Sequence, residues 1–329
     1  MNDAVVFSLT SNVELVEEIC SYLGSEPGKL TVNHFADGET LVELNESVRG
    51  KKVFFVQSTC KPVNEKLMEL LVACDAARRA SADEITCIMP YYGYARQDRK
   101  AKPRQPITSR LVADLLGAAG CKRVVTIDLH AAQIQGFFSF PADDLTSIPM
   151  MAQYFAHKDG IDLKNTVVVS PDHGGTVRAR RLAEILDCPI AICDKRRPKP
   201  NVCETTNILG DVDGMNCIII DDICDTGGSL CGAAKMLKEH GAKDIYVAIA
   251  HGVFSRDAAE KIEASVIKEV ICTNSIPLTK EIEAKTKKIK QASVGLMLSR
   301  IIESITSHKP MTGVYDVFDI NSPEQFKTL

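Results

Sequence analysis

The segment Ile218–Leu230, IIIDDICDTGGSL, runs from apolar residues through two adjacent acids into a small-residue loop. That order of residue types suits a sugar phosphate. Gly227 and Gly228 let the backbone approach a ligand closely, while main-chain N–H groups and the hydroxyls of Thr226 and Ser229 can donate to phosphate oxygens. A helix opening at the loop adds roughly half a positive charge at its N-terminus. Asp221 and Asp222 repel a phosphate, but as pure acceptors they fit the vicinal hydroxyls of a sugar beside it. A plain strand, turn and helix with Asp225 as N-cap accounts for the same letters, so the loop alone leaves both readings open.

A second loop of the same kind, SPDHGG at Ser170–Gly175, follows the apolar run TVVVS. Two such loops at the carboxyl ends of neighbouring parallel strands define one crevice, the place where open α/β sheets bind ligands. Asp172 also suits Mg²⁺, which takes one or two protein carboxylates and completes its shell with water and phosphate oxygens. The stretch Lys195–Pro200, KRRPKP, puts four positive charges in six residues directly after a strand pattern, and its prolines make it a loop able to move. One reading is a nucleic-acid patch, which a net charge of −4, 5% aromatics and no Trp disfavour. The other is stabilisation of the charge that spreads over a transferring phosphoryl group. Pro90–Pro106 carries Arg96, Arg99, Lys100, Lys102 and Arg104 against Asp98, and reads as a solvated loop or as a place where Arg96 stacks on a base. His130 has no HxxxH or Cys companion, which argues against zinc and leaves a single imidazole near phosphates.

Parallel sheets must position these loops. Lys52–Gln57 reads as a strand, and Val63–Ala80 follows as a helix with Leu67, Leu70, Leu71, Cys74 and Ala77 on one face. The strand ITCIMP, a helix over Thr108–Ala119 ending at Gly120, and the strand Arg123–Asp128 continue the alternation. After Pro149 it restarts with strands at Thr166–Ser170, Pro189–Cys193, Asn216–Asp221, Asp244–Ala250 and Val270–Thr273. Helices lie between them, near residues 175–186, 229–240 and 257–264, and a last helix spans about Lys288–Thr306. The expected fold is α/β, with two similar doubly wound parallel-sheet domains over residues 1–148 and 149–306.

A chain of 329 residues with 45% hydrophobic and 25% charged residues has enough apolar content for two cores and too much for a disordered chain. The longest apolar stretch, Ile245–Ala250, is far below the roughly 18 residues a membrane span needs. The start, MNDAVVFSLT, shows no secretory signal, so the expected location is cytoplasmic and the 12 cysteines are expected to be reduced core thiols.

The motifs together resemble a class I ribose-phosphate diphosphokinase, also called phosphoribosyl pyrophosphate synthetase. The likeness runs almost end to end: NHFADGET (Asn33–Thr40), PVNEKLMELL (Pro62–Leu71), PYYGYARQDRKAKPRQPI (Pro90–Ile107), TIDLHAAQIQGFF (Thr126–Phe138), VVSPDHGG, DKRRPKPN (Asp194–Asn201), IIDDICDTGGS and TNSI (Thr273–Ile276). The resemblance implies domains of the type I phosphoribosyltransferase kind and transfer of the β,γ-diphosphoryl group of Mg-ATP to the C1 hydroxyl of ribose 5-phosphate. It assigns Asp225, Thr226, Gly227, Gly228 and Ser229 to the sugar phosphate, Asp221 and Asp222 to the ribose hydroxyls, and Asp172, His173, Gly174 and Gly175 to the diphosphate. His130 and Asp172 resemble Mg²⁺ contacts, and Phe35, Asp37, Gly38, Glu39, Arg96 and Gln97 resemble ATP contacts, the first group supplied across a subunit interface. Lys195 and Arg197 match catalytic residues of the moving loop. Ser47, Arg49, Ser81 and Arg104 are family-like at a regulatory site that inorganic phosphate activates, and a homo-oligomer, a hexamer built from dimers, is implied, with no nucleic-acid or membrane partner. The tail 307–329 is expected to pack back on the first domain, although KPMTGVYDVFDI departs from the usual family ending, as do Ser229 and Lys199. A phosphoribosyltransferase and a non-catalytic regulatory homologue are the alternatives.

Overall fold

The computed structural model describes residues 3–196 and 205–323. They form two compact units: residues 3–146 with Ser275–Pro277 and Val294–Val314, and the described residues of 147–274 with Leu278–Ser293 and residues 315–323.

In the first unit the elements are β1 (Ala4–Ser8), α1 (Val13–Leu23), β2 (Leu30–His34), β3 (Thr40–Leu44), β4 (Lys52–Val56), α2 (Val63–Arg79), β5 (Glu84–Met89), α3 (Thr108–Ala119), β6 (Arg123–Ile127) and β7 (Ala142–Leu145). Five strands pair in parallel in the order β1-β4-β5-β6-β7, while β2 and β3 form a separate antiparallel hairpin. The central strands are mostly apolar and largely buried because helices cover such sheets on both faces. Val53 and Phe55 pack into a core with Leu70 and Cys74 of α2 and Val112 and Leu116 of α3, and the intervening Phe54 is equally buried. Truncating a side chain such as Leu70 would cost about 2–5 kcal/mol in lost transfer energy and cavity formation. α1 starts where Asn12 Oδ1 accepts the Leu15 N–H at 3.2 Å and stops at Gly24 in the left-handed region.

The second unit holds α4 (Ile148–Ala156), β8 (Thr166–Ser170), α5 (Thr176–Leu186), β9 (Ile190–Arg196), β10 (Thr205–Leu209), β11 (Asn216–Cys224), α6 (Gly228–Glu239), β12 (Ile245–Gly252), α7 (Ala258–Ala264), β13 (Glu269–Thr273), α8 (Lys280–Lys285) and β14 (Ile289–Ala292). α9 (Gly295–Ser307) returns to the first unit and packs along α1. The sheet order is β10-β9-β8-β11-β12-β13-β14, parallel except for β10 against β9. From β8 the chain moves outward to β9 and then crosses back to β11 on the other side of β8. The strand order therefore reverses between β8 and β11, which opens a crevice at their carboxyl ends.

Two sequence expectations need correction. The helix expected over 288–306 begins only at Gly295, because Ile289–Ala292 extends instead and pairs in parallel with β13. Its backbone bonds are made to a neighbouring strand that local periodicity cannot anticipate. The sequence pattern puts Lys195 in a loop, yet the backbone stays extended through Arg196 and Lys195 pairs with Thr206 of β10. The unit boundary falls at 146/147, with α9 in the first unit and the tail divided at Val314/Tyr315. Beyond that point the buried amide of Gln153 on α4 donates to the carbonyls of Asp319 at 2.9 Å and Ser322 at 3.3 Å. The described cysteines are free thiols and most are buried.

Candidate active site

Both glycine loops flank the β8/β11 reversal. After β11, the Cys224 carbonyl accepts the N–H groups of Val253 and Phe254, each at 3.0 Å, and the Asp225 carbonyl accepts Ser255 N–H at 2.8 Å. The segment after β12 thus fixes the loop. Gly227, at φ 72°, is the N-cap of α6 and makes no side-chain cap bond, while Gly228 and Ser229 are exposed in the first turn. The N-cap position thus falls on Gly227 and not on Asp225. A helix N-terminus entered through glycine is a place where backbone N–H groups and the helix field favour an anion.

Upstream, Asp222 is buried and Asp221 half-buried at the end of β11. Asp221 Oδ1 accepts the backbone N–H of Asp222 at 2.9 Å. Burial first, and then the neighbouring Asp222, push the Asp221 carboxyl up to about 7, with Arg178 on α5 opposing that rise. Arg178 Nη1 lies 3.5 Å from Asp221 Oδ1 and 3.6 Å from Asp222 Oδ1.

After β8, Ser170 Oγ donates to the Asp172 carbonyl at 2.6 Å and Gly175 N–H donates to Asp172 Oδ1 at 3.1 Å. A Cβ on Gly175 would stand 2.8 Å from Ser170 Oγ, so the turn needs glycine there. Asp172, His173 and Gly174 are exposed at its tip. His173 Nε2 pairs at 2.9 Å with Asp194 Oδ1, and Asp194 is buried at the end of β9 next to Lys195. Arg197 lies outside the described residues, as does the rest of the basic segment to Asn201. In this unit the fold brings together Asp172–Gly175, Asp194, Asp221 and Asp222, and it adds Arg178. Sequence reasoning missed Arg178 because GGTVRARR offers three arginines of one type, and only burial separates Arg178 from the exposed Arg180 and Arg181.

In the first unit, Phe35, Asp37, Gly38 and Glu39 form the tip of the β2–β3 hairpin. Phe35 N–H donates to the Glu39 carbonyl at 2.9 Å, and Asp37 Oδ1 accepts Glu39 N–H at 3.2 Å. Gly38 at φ 96° closes the tip, and the Phe35 ring is 56% exposed, an apolar face held out on a short turn. The Pro90–Pro106 stretch divides. Tyr91 and Tyr92 are buried, with Tyr92 Oη donating to the Ser109 carbonyl at 2.9 Å, while Arg96 and Gln97 emerge exposed and Gln97 Oε1 accepts from Thr108 Oγ1 at 2.6 Å. The solvated-loop reading thus holds for Lys100–Arg104 and not for the tyrosines. His130 is exposed just beyond β6, on a turn held by Asp144 Oδ1, which accepts from Thr126 Oγ1 at 2.8 Å and Leu129 N–H at 3.2 Å. Arg49 Nη1 donates to Ser81 Oγ at 3.1 Å, with Ser47 exposed two residues before Arg49 and Arg104 exposed in its own turn.

The fold and these loops define an α/β enzyme class that handles phosphorylated sugars and nucleotides at strand ends. Residues 4–120 match the model of the N-terminal domain of ribose phosphate pyrophosphokinase, and residues 193–316 match the phosphoribosyl synthetase-associated domain. A ribose-phosphate pyrophosphokinase of Bacillus caldolyticus is 52% identical over 311 residues, 94% of this chain and 97% of that protein. The Staphylococcus saprophyticus protein of the same name is 50% identical over 94% of this chain and 96% of its own. The crystal structure of phosphoribosylpyrophosphate synthetase from Mycobacterium smegmatis superposes with a TM-score of 0.86 at 38% identity, covering 93% of this chain and 99% of that one. The chain belongs to the ribose-phosphate pyrophosphokinase family.

Proposed function

We propose that the chain transfers the β,γ-diphosphoryl group of ATP to the C1 hydroxyl of ribose 5-phosphate, forming 5-phosphoribosyl 1-diphosphate and AMP. The observation that carries this is the pair of glycine loops at the β8/β11 reversal, one preceded by Asp221 and Asp222. In this reading the 5-phosphate takes the N–H groups and hydroxyls of Asp225–Ser229 at the start of α6, where the helix field favours it. The carboxylates of Asp221 and Asp222 accept the ribose hydroxyls, which sets the direction of the C1 oxygen. The loop Asp172–Gly175 receives the diphosphate, with its amides as donors. Phe35, Asp37, Gly38, Glu39, Arg96 and Gln97 hold the nucleotide, the exposed Phe35 ring against the base.

The C1 hydroxyl oxygen attacks the β-phosphorus in line and gives up its proton to water, the bond from that phosphorus to the α-phosphate oxygen breaks, and AMP departs with that oxygen. Holding two substrates in attack geometry is worth about 7–11 kcal/mol. Lys195 and Arg197 stabilise the charge that spreads over the transferring group, a contribution of about 3 kcal/mol for a well-placed donor. The exposed Asp172 carboxylate is a donor type that Mg²⁺ accepts alongside phosphate oxygens and water, whereas the exposed imidazole of His130, which the family likeness assigns to the same ion, is a softer donor than Mg²⁺ usually takes. When bound, Mg²⁺ would neutralise the charge of the ATP phosphates.

Regulation and assembly extend the same reading. Ser47, Arg49, Ser81 and Arg104 would bind the activating phosphate, with the Arg49–Ser81 pair as its start. The working form is a homo-oligomer, a hexamer, in the cytoplasm. No described helix is long and apolar enough to cross a membrane.

The decisive test is ³¹P NMR of the protein with Mg²⁺, ATP and ribose 5-phosphate. AMP and a C1 diphosphate should grow in together, each dependent on the sugar. AMP or ADP formed without the sugar diphosphate would mean hydrolysis and would overturn the assignment.

A further inference from the structure

We propose that Arg178 is a positioning residue for the sugar: a single guanidinium shared by Asp221 and Asp222 holds both side chains side by side as acceptors for the vicinal ribose hydroxyls. The inference rests on the reading of those two acids as the hydroxyl contacts.

Arg178 stands one turn beyond Gly175, in the first turn of α5, with only 18% of its side chain exposed. Its Nη1 is almost equidistant from the two carboxylates, 3.5 Å from Asp221 Oδ1 and 3.6 Å from Asp222 Oδ1. These distances exceed those of a bidentate fork, so the cation acts on the pair and not as the dedicated partner of one acid. Two adjacent, partly buried carboxylates resist double ionisation, and a proton caught between them would turn one acceptor into a donor. Asp221 already holds its proton to about 7, with burial as the leading cause, and Arg178 is the charge that opposes this. The other ionisable groups near it are Asp222 and the buried Cys224 on its own strand. On the neighbouring β12, His251 follows the residue that pairs with Asp221 by two positions, and Asp172 and His173 follow β8. Arg178 is a cation that meets both acids with one nitrogen.

The test compares wild type, R178Q, R178M and R178K by measuring kcat and both KM values between about pH 6 and 9. R178Q should raise KM for ribose 5-phosphate about tenfold near neutrality and move its pH dependence upward by about one unit, since one unit corresponds to a tenfold change. KM for ATP and kcat at saturating sugar should change far less. R178M keeps the aliphatic stem and should match R178Q, whereas R178K restores the charge without the planar fork and should recover part of the affinity. If KM for both substrates rises equally with an unmoved pH profile, Arg178 is only structural and the inference fails. Unchanged kinetics in R178Q would overturn it as well. If wild type makes no AMP in response to ribose 5-phosphate, the functional reading itself falls, and wild type alone shows this.

Discussion

At the residue scale the site is a contest between charge repulsion and counter-charge. Asp221 and Asp222 repeat the same charge at consecutive positions of one strand, a placement that costs stability. Burial raises the Asp221 carboxyl from 3.8 to about 7 in the folded chain, whereas in the unfolded chain it ionises near 3.8. The folded state thus binds a proton through that window that the unfolded state releases, and stability contributed by this group is present below about 4 and is lost as pH rises toward 7. Asp221→Asn removes the penalty. Its Tm should exceed that of wild type at about pH 8 and converge with it at about pH 4, while KM for ribose 5-phosphate rises at both. Thermal melts across pH check this, and a Tm difference that does not vary with pH would refute the linkage.

At the element scale, what matters is how strands hand over to helices. The α6 entry uses Gly227 at φ 72°, a conformation that costs a residue with a Cβ about 1–2 kcal/mol, and the added methyl would meet Ala258 at 3.6 Å. Gly227→Ala should therefore lower stability by about that amount and weaken ribose 5-phosphate binding through loss of amide alignment, leaving KM for ATP near wild type. Steady-state kinetics with each substrate varied in turn decides it. A rise confined to ATP would mean that the loop serves the nucleotide. The β-α-β handovers at residues 52–89, 166–193 and 216–250 could be read from their alternation of apolar runs and helical periodicity. The β14 strand and α8 could not. Four residues, IKQA, carry no decisive period, and β14 exists because β13 offers it a hydrogen-bonding edge.

At the scale of the whole molecule, the exposed Phe35 tip of the β2–β3 hairpin is the feature that a single chain leaves unexplained. If the nucleotide contact is made across a subunit interface, mixing a Phe35→Ala chain with an Asp225→Ala chain should restore activity that neither has alone. Some mixed pairs would combine an intact hairpin with an intact sugar loop. Sedimentation of the same samples should report an assembly larger than a dimer. Absence of restoration in verified mixed oligomers would place both functions within one chain. Sequence by itself determined the parallel α/β class, the two glycine loops, the paired acids and the family, because each is written in contiguous residues whose spacing has a local physical meaning. Tertiary structure alone decided that Arg178 and not Arg180 or Arg181 lies against the acids, that His173 meets Asp194, that α9 joins the first unit, and that the backbone at Lys195 extends a strand. Those facts depend on which distant segments share a buried surface or a sheet edge, and pairing and burial across tens of residues leave no trace in local periodicity.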